Sequence, residues 1–389
     1  MEGVAGSRSG PTTLQSIHFP RSERSCQLER PEHVLPDAFC VGEFDSPGEL
    51  CVAAGSVEGL LSLFKVSVGA RVWTEVNGLG CIASLLSVRG ACAGGRDLLL
   101  ATTAGERFMS LLDCRGGAVW RARVENVIEA CCSDCRGGRE GRAEVALGAA
   151  TGTVALYDLS FDTSKAASST ICSLAQSWKL SDEGTLDAVS FARDRIVASL
   201  TGGAVYVLGS GASIECVVRS IPNAVPSRTK CLKPDVLVTV GMDGGVRLCS
   251  EAGQSLVQLA LENAVISSFK TSNLLRIGDE NAAAACAWNG DTWFVDGLGN
   301  VLLFQPMDGQ MRSVTAFDVY KSKHTGEAWI VYLLSTGQIV LFAVDLTCLE
   351  CRLFSHHAHS FVQQHPFFSS LNAKQRALLI DLAMNHLKV

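Results

Sequence analysis

A glycine-centred turn between two short apolar runs recurs seven times, and its spacing restricts the fold more than any other feature. The segment 282–296, AAAACAWNGDTWFVD, shows the unit. An apolar run ends at Trp288 and Asn289-Gly290-Asp291 turns the chain. An alternating run follows, with Thr292, Phe294 and Asp296 on one face and Trp293 and Val295 on the other. Glycine reaches the positive φ of a tight hairpin without steric cost. One hairpin cannot bury its own apolar faces, so the unit has meaning only as one of many. The turn glycines are Gly59, Gly105, Gly152, Gly203, Gly244, Gly290 and Gly337, at intervals of 41–51 residues. A helical solenoid of this period would need apolar residues at i, i+3, i+4 and i+7 through each unit. Short alternating runs rich in Val, Leu and Ala at this spacing belong to β-propellers. The expectation is an all-β chain: a seven-bladed β-propeller, its blades four-stranded, with a short C-terminal α-helix.

The rest of the chain is read around that ring. Residues 1–11 are expected to be a disordered N-terminus, and 12–355 the propeller. Within it 12–20, containing Leu14 to Phe19 (LQSIHF), is expected to close the ring by pairing with the last blade and so remove an exposed edge. Residues 356–389 form a C-terminal helical tail in this reading: Asn372-Ala373-Lys374-Gln375 resembles a capping box, and Leu378, Leu379, Leu382, Ala383 and Leu387 recur at helical spacing. Leu346 to Phe354 reads as one more strand. Arg136 to Arg142 and Ser160 to Ser169 read as protruding loops, and Trp288 as at least half buried between blades.

Composition narrows the function classes. Of the 389 residues, 47 % are apolar and 19 % charged, enough for a dry core. A net charge of −6 argues against an electrostatic nucleic-acid binder, leaving only a local basic spot at Arg115, Arg121 and Arg123. No stretch approaches the roughly 18 uninterrupted apolar residues of a membrane-spanning helix, and the first residues lack the apolar core of a signal peptide. The chain is therefore expected to be soluble and cytoplasmic. Its 16 cysteines, among them Cys40, Cys51, Cys81, Cys172, Cys216, Cys286 and Cys348, are then expected to be reduced, small hydrophobes in or beside strands.

Candidate chemistry is sparse. The loop Gly42-Glu43-Phe44-Asp45-Ser46-Pro47-Gly48-Glu49 is a shortened form of the Asp-x-Asp-x-Asp-Gly calcium loop, and Gly278-Asp279-Glu280-Asn281 is shorter still; solvated turns explain both. Cys132-x-x-Cys135 and Cys348-x-x-Cys351, the latter followed by His356, His357 and His359, have zinc-knuckle spacing, but the two pairs fall in different blades. Ala104-Gly105, Leu112-Asp113, Gly117 and Trp120 resemble the mostly structural repeat of quinoprotein propellers, and Cys131-Cys132 is a vicinal pair. No Gly-x-Ser-x-Gly or His-Glu-x-x-His occurs, and no glycine-rich loop opens a helix. The reading is a non-enzyme with no catalytic, cofactor-binding or metal residues assigned.

Three stretches carry a family resemblance: Leu35-Pro36-Asp37-Ala38-Phe39-Cys40-Val41-Gly42-Glu43-Phe44-Asp45, then Ala284-Ala285-Cys286-Ala287-Trp288-Asn289-Gly290-Asp291-Thr292, and Ile330-Val331-Tyr332 with Gln338-Ile339. In these, and in their order and spacing, the chain resembles the integrin-alpha FG-GAP repeat-containing protein 2 family over most of 12–385, weakly around 159–270. The resemblance implies a propeller scaffold subunit of the complex called KICSTOR. That assembly tethers the Rag GTPase-activating complex to the lysosomal surface and restrains TOR signalling when nutrients are scarce. The residues by themselves give a cytoplasmic propeller with no visible chemistry. A scaffold in another multi-subunit complex, ciliary or trafficking, fits them as well.

Overall fold

In the computed structural model the described residues are 33–344, apart from stretches between strands of which 161–170 is the longest, together with 346, 349, 371, 372, 374, 375, 377 and 378. They form seven antiparallel sheets in chain order and one small hairpin. Blades 1 to 7 span 34–75, 81–123, 130–179, 186–218, 227–260, 266–305 and 314–344. Strands within a blade are lettered a to d in chain order. Blades 1 to 6 have four strands each, and blade 7 has three among the described residues: Val314–Lys321, Ala328–Leu334 and Ile339–Val344. In blade 6 the hairpin Arg276–Ile277 with Glu280–Asn281 is inserted between strands a and b, and it touches strand a of blade 5.

The turn glycines fix this register. Gly59, Gly152, Gly203, Gly244, Gly290 and Gly337 all join strand b to strand c, with φ between 80° and 93°. In each the glycine N–H donates to the carbonyl three residues earlier, at 2.8–3.1 Å. Gly105 lies outside the described residues. An L side chain at such a φ costs about 1–2 kcal/mol. At Gly59 there is also no room, because a Cβ would stand 2.8 Å from the carbonyl oxygen of Gly80 in the next blade's approach.

Strand a of blade 1 packs against strand a of blade 2 and strand a of blade 7, so the ring is closed. Burial is almost entirely between blades. Val88 and Leu100 of blade 2 cluster with Val145 and Leu147 of blade 3. Trp178 of blade 3 meets Val189 and Ile196 of blade 4, and Val197 of blade 4 meets Leu237 of blade 5. Val238 of blade 5 packs with Ala285 and Trp293 of blade 6, and Phe294 of blade 6 with Phe317 and Tyr332 of blade 7. The largest cluster joins blades 7, 1 and 2 through Tyr320, Val331, Phe39, Leu63, Ile82 and Leu99. Small residues let the sheets approach: strand b of blade 6, Ala283–Ala287, is buried throughout, and Gly55 faces Ile82 so closely that a Cβ would fall 2.5 Å from its methyl.

Three sequence expectations change here. Trp288 is 60 % exposed, because strand b ends at Ala287 and Trp288 is already the first turn residue; the tryptophan packed between blades is Trp293, at 7 %. Leu346 and Leu349 are helical rather than extended, and their three-residue spacing sets both against the blade 6–7 core. Arg136 is no loop residue. It lies within strand a of blade 3, Ala130–Gly137, where its guanidinium pairs with Glu144 and stacks 4.9 Å from the Phe191 ring centre. The capping box forms as expected, Asn372 and Gln375 exchanging bonds of 2.9 and 3.0 Å at the start of the tail, and Leu378 is 61 % exposed. Leu14 to Phe19, 161–170 and Leu379 to Leu387 lie outside the described residues.

These placements separate the two tryptophans of blade 6. Trp293→Ala is expected to cost about 3–5 kcal/mol in urea unfolding, whereas Trp288→Ala stays within about 0.5 kcal/mol of wild type. Equal losses for both would contradict the assignment.

Candidate interaction surface

Strand a of each blade runs away from the face that carries the b–c turns, so the a–b loops gather on the opposite face. There the loops of blades 7, 1 and 2 meet around two buried acids. One oxygen of Asp97, Oδ2, accepts the Glu43 N–H at 3.1 Å, the Ser87 hydroxyl at 2.9 Å and the Tyr320 phenol at 3.0 Å. The Asp97 N–H returns to the Glu43 carbonyl at 3.0 Å. Burial, and then the neighbouring Asp97 carboxylate, push the Tyr320 phenol well above its ordinary value, so it remains a donor. The Glu43 carboxylate receives the Ser322 hydroxyl on one oxygen and faces the His324 imidazole at 3.4 Å with the other.

Nearer the axis, Asp318 of blade 7 accepts the Val319 N–H at 2.9 Å and, across the closure, the Val41 N–H of blade 1 at 3.0 Å. Asp134 repeats the device between blades 3 and 4, accepting the N–H groups of Cys135 and Phe191, each at 2.9 Å. Both carboxylates are buried.

A serine, a histidine and an acid thus come together, but in the geometry of a turn. Ser322 Oγ accepts the N–H groups of His324 and Thr325 at 3.1 and 3.0 Å and donates to Glu43. The His324 imidazole faces Glu43 rather than the hydroxyl, so serine and histidine are not paired as a nucleophile with its imidazole base.

The shortened calcium loop is occupied by the protein itself. Lys65 Nζ stands 2.8 Å from Asp45 and 2.6 Å from Glu49, and Ser46 donates to Glu49 at 2.7 Å. An ammonium sits where a hard cation would need convergent oxygens. Among the described residues no group of three or more His, Cys, Asp or Glu side chains is arranged to hold a metal. Cys132 and Cys135 fall within one strand, Ala130–Gly137, rather than on a compact loop. Cys348, Cys351 and the three histidines after them lie outside the described residues, as do Gly278 and Asp279.

Of the described thiols Cys40, Cys51, Cys249 and Cys286 are buried, and Cys81, Cys135 and Cys172 are partly so. Burial pushes Cys51 and Cys286 up to about 12 and Cys172 to about 11, and raises Cys81, Cys135 and Cys249.

The b–c face differs in kind. Its first turn position, two before the glycine, holds Val57, Ala150, Thr201, Met242, Trp288 and Ser335 in blades 1, 3, 4, 5, 6 and 7. Val57, Met242 and Trp288 are 40 %, 45 % and 60 % exposed. An acid follows in the same turns: Glu58, Asp243 and Asp291. Trp288 is held by its backbone, its carbonyl accepting the Val314 N–H of blade 7 at 2.9 Å. Of the basic spot, Arg121 and Arg123 are exposed on strand d of blade 2, Arg121 lying 4.0 Å over the Phe108 ring, and Arg115 is outside the described residues.

Two measurements test this account. Asp318→Ala should lose about 2–3 kcal/mol of unfolding free energy, with Asp318→Asn between it and wild type because an amide oxygen can keep one bond. A wild-type stability for both would deny that the carboxylate ties blade 7 to blade 1. The thiols set a pH dependence. The unfolded chain releases these protons near pH 9.0 while folded Cys51 and Cys286 keep theirs to about 12, so stability falls as pH rises through that window. Cys286→Ala should flatten the decline between pH 9 and 11; an unchanged slope would show that its thiol is not protected.

No family profile matches the sequence, and no curated protein matches it. Solved structures do. BBS1N in complex with ARL6DN, in a crystal soaked with lead, superposes with a TM-score of 0.61 at 12 % identity, covering 80 % of this chain and 92 % of that one. The same complex soaked with mercury gives 0.60 at 13 %, covering 84 % and 99 %. BamB from Moraxella catarrhalis gives 0.49 at 14 %, covering 78 % and 84 %. At these identities the likeness establishes the fold, a seven-bladed β-propeller.

Proposed function

We propose that this chain is a non-enzymatic propeller scaffold, a subunit of a multi-protein assembly of the KICSTOR type that recruits the Rag GTPase-activating complex to lysosomes and restrains TOR signalling. The observation that supports scaffolding is the division of labour between the faces. The buried acids and hydroxyls of the a–b face are bonded to one another across blades, while the b–c face presents an exposed tryptophan on a braced turn. BBS1N, of like fold, was solved bound to another protein. The KICSTOR assignment rests on the sequence resemblance in 35–45, 284–292 and 330–339. The place of action would be cytoplasmic, peripheral on the lysosomal surface; among the described residues no helix is long and apolar enough to cross a membrane. The complex of BBS1N with ARL6DN supports equally a second reading, a scaffold in a different multi-subunit complex; the sequence by itself fits a ciliary or trafficking one.

Affinity purification of the tagged full chain with mass spectrometry separates the readings. KICSTOR-type subunits and the Rag GTPase-activating complex are expected, and cells lacking the chain should keep TOR signalling active during amino-acid starvation. Recovery of trafficking proteins would favour the second reading. Purified protein carrying a chromophore or a metal would overturn both.

A further inference from the structure

We infer that the b–c turns of blades 5 and 6 form a protein-docking edge anchored by Trp288. The partner segment would carry an apolar or aromatic side chain flanked by lysine or arginine. The inference deepens the scaffold reading and rests on it.

Trp288 and Met242 hold the same turn position in adjacent blades and are 60 % and 45 % exposed. Both turns are rigid before any partner arrives, each closed by its glycine N–H at 2.9 and 3.0 Å. The Trp288 carbonyl is further pinned to blade 7. A large aromatic that loses little conformational freedom on burial is the usual centre of a protein interface, and tryptophan is the most enriched of such anchors. Two apolar groups on neighbouring turns are too small to be an interface, so contacts beyond them must complete the roughly 1,200–2,000 Å² of a stable one.

Charge selects the occupant. Asp243 follows Met242 directly, and Asp291 closes the Trp288 turn. Asp243 Oδ1 accepts the Gly245 N–H at 3.0 Å, and Asp291 Oδ2 accepts the Asn289 amide at 2.8 Å, so both carboxylates are held at the rim. An apolar centre with an acidic rim is complementary to a basic-flanked apolar segment. The same acids oppose an anionic lipid surface, and they oppose a second copy docking through the same face.

The test uses the full chain. Trp288→Glu should melt within about 2 °C of wild type, since it changes an exposed side chain. Its recovery of the partners that co-purify with wild type should fall at least tenfold. Asp243→Asn with Asp291→Asn keeps the turn acceptors and removes two charges; it should lower recovery several-fold and flatten its salt dependence. A photocrosslinking amino acid at position 288 should label a partner peptide containing lysine or arginine beside an apolar residue. If wild type brings down stable partners and Trp288→Glu keeps them all, the docking edge is refuted and the scaffold reading stands. Labelling of lipid, of an acidic peptide or of this chain itself would also refute it. Failure of wild type to retain any partner overturns the scaffold reading and this inference together.

Discussion

Everything in this molecule depends on a ring whose last blade must find its first. Blade packing is apolar and non-directional, so it favours contact without fixing height or register along the axis. Asp318 supplies the direction. Its carboxylate is shared between its own strand and the Val41 N–H of blade 1, 277 positions away in sequence. Asp97 and Glu43 then lock the outer loops of blades 7, 1 and 2 over the same seam. Buried acids of this sort are costly unless every bond is made, which is why they are surrounded by hydroxyls and backbone N–H groups. Asp134 shows that the seam borrows a joint used elsewhere in the ring, between blades 3 and 4.

How far the sequence disclosed this follows from the range of each determinant. A positive φ is a property of one residue, so the glycine repeat was legible, and six of the glycines occupy one turn position. The acid that closes the ring was not legible, because nothing near Asp318 announces Val41. Trp288 was misread for a subtler reason. Its neighbours Ala282 to Ala287 are all buried, and the apolar run was extended one residue too far. Aligning the turns by their glycines places Trp288 with Val57, Ala150, Thr201, Met242 and Ser335, two residues before the glycine and so in the turn rather than the strand. Leu346 and Leu349 were similarly open to a helical reading at three-residue spacing. The candidate surface was legible only as the absence of catalytic motifs; its acids and apolar groups became a face when the blades set them side by side.

The two ends of the propeller consequently do different physical work. On the a–b side, polar groups face one another across blades and spend their hydrogen-bonding capacity inside the protein. On the b–c side, the turns satisfy their own backbone and present Val57, Met242 and Trp288 to solvent. A rigid support under a solvent-facing tryptophan is the arrangement that favours binding, because little freedom remains to be lost there.

Lys65 gives blade 1 a further property. The positive charge between Asp45 and Glu49 is attached to the same chain, one strand away. A tethered cation cannot be diluted or chelated away, and its supply does not vary with the compartment. The charges of Asp45 and Glu49 are thereby balanced from within the chain, on a loop that lies beside the seam between blades 7 and 1.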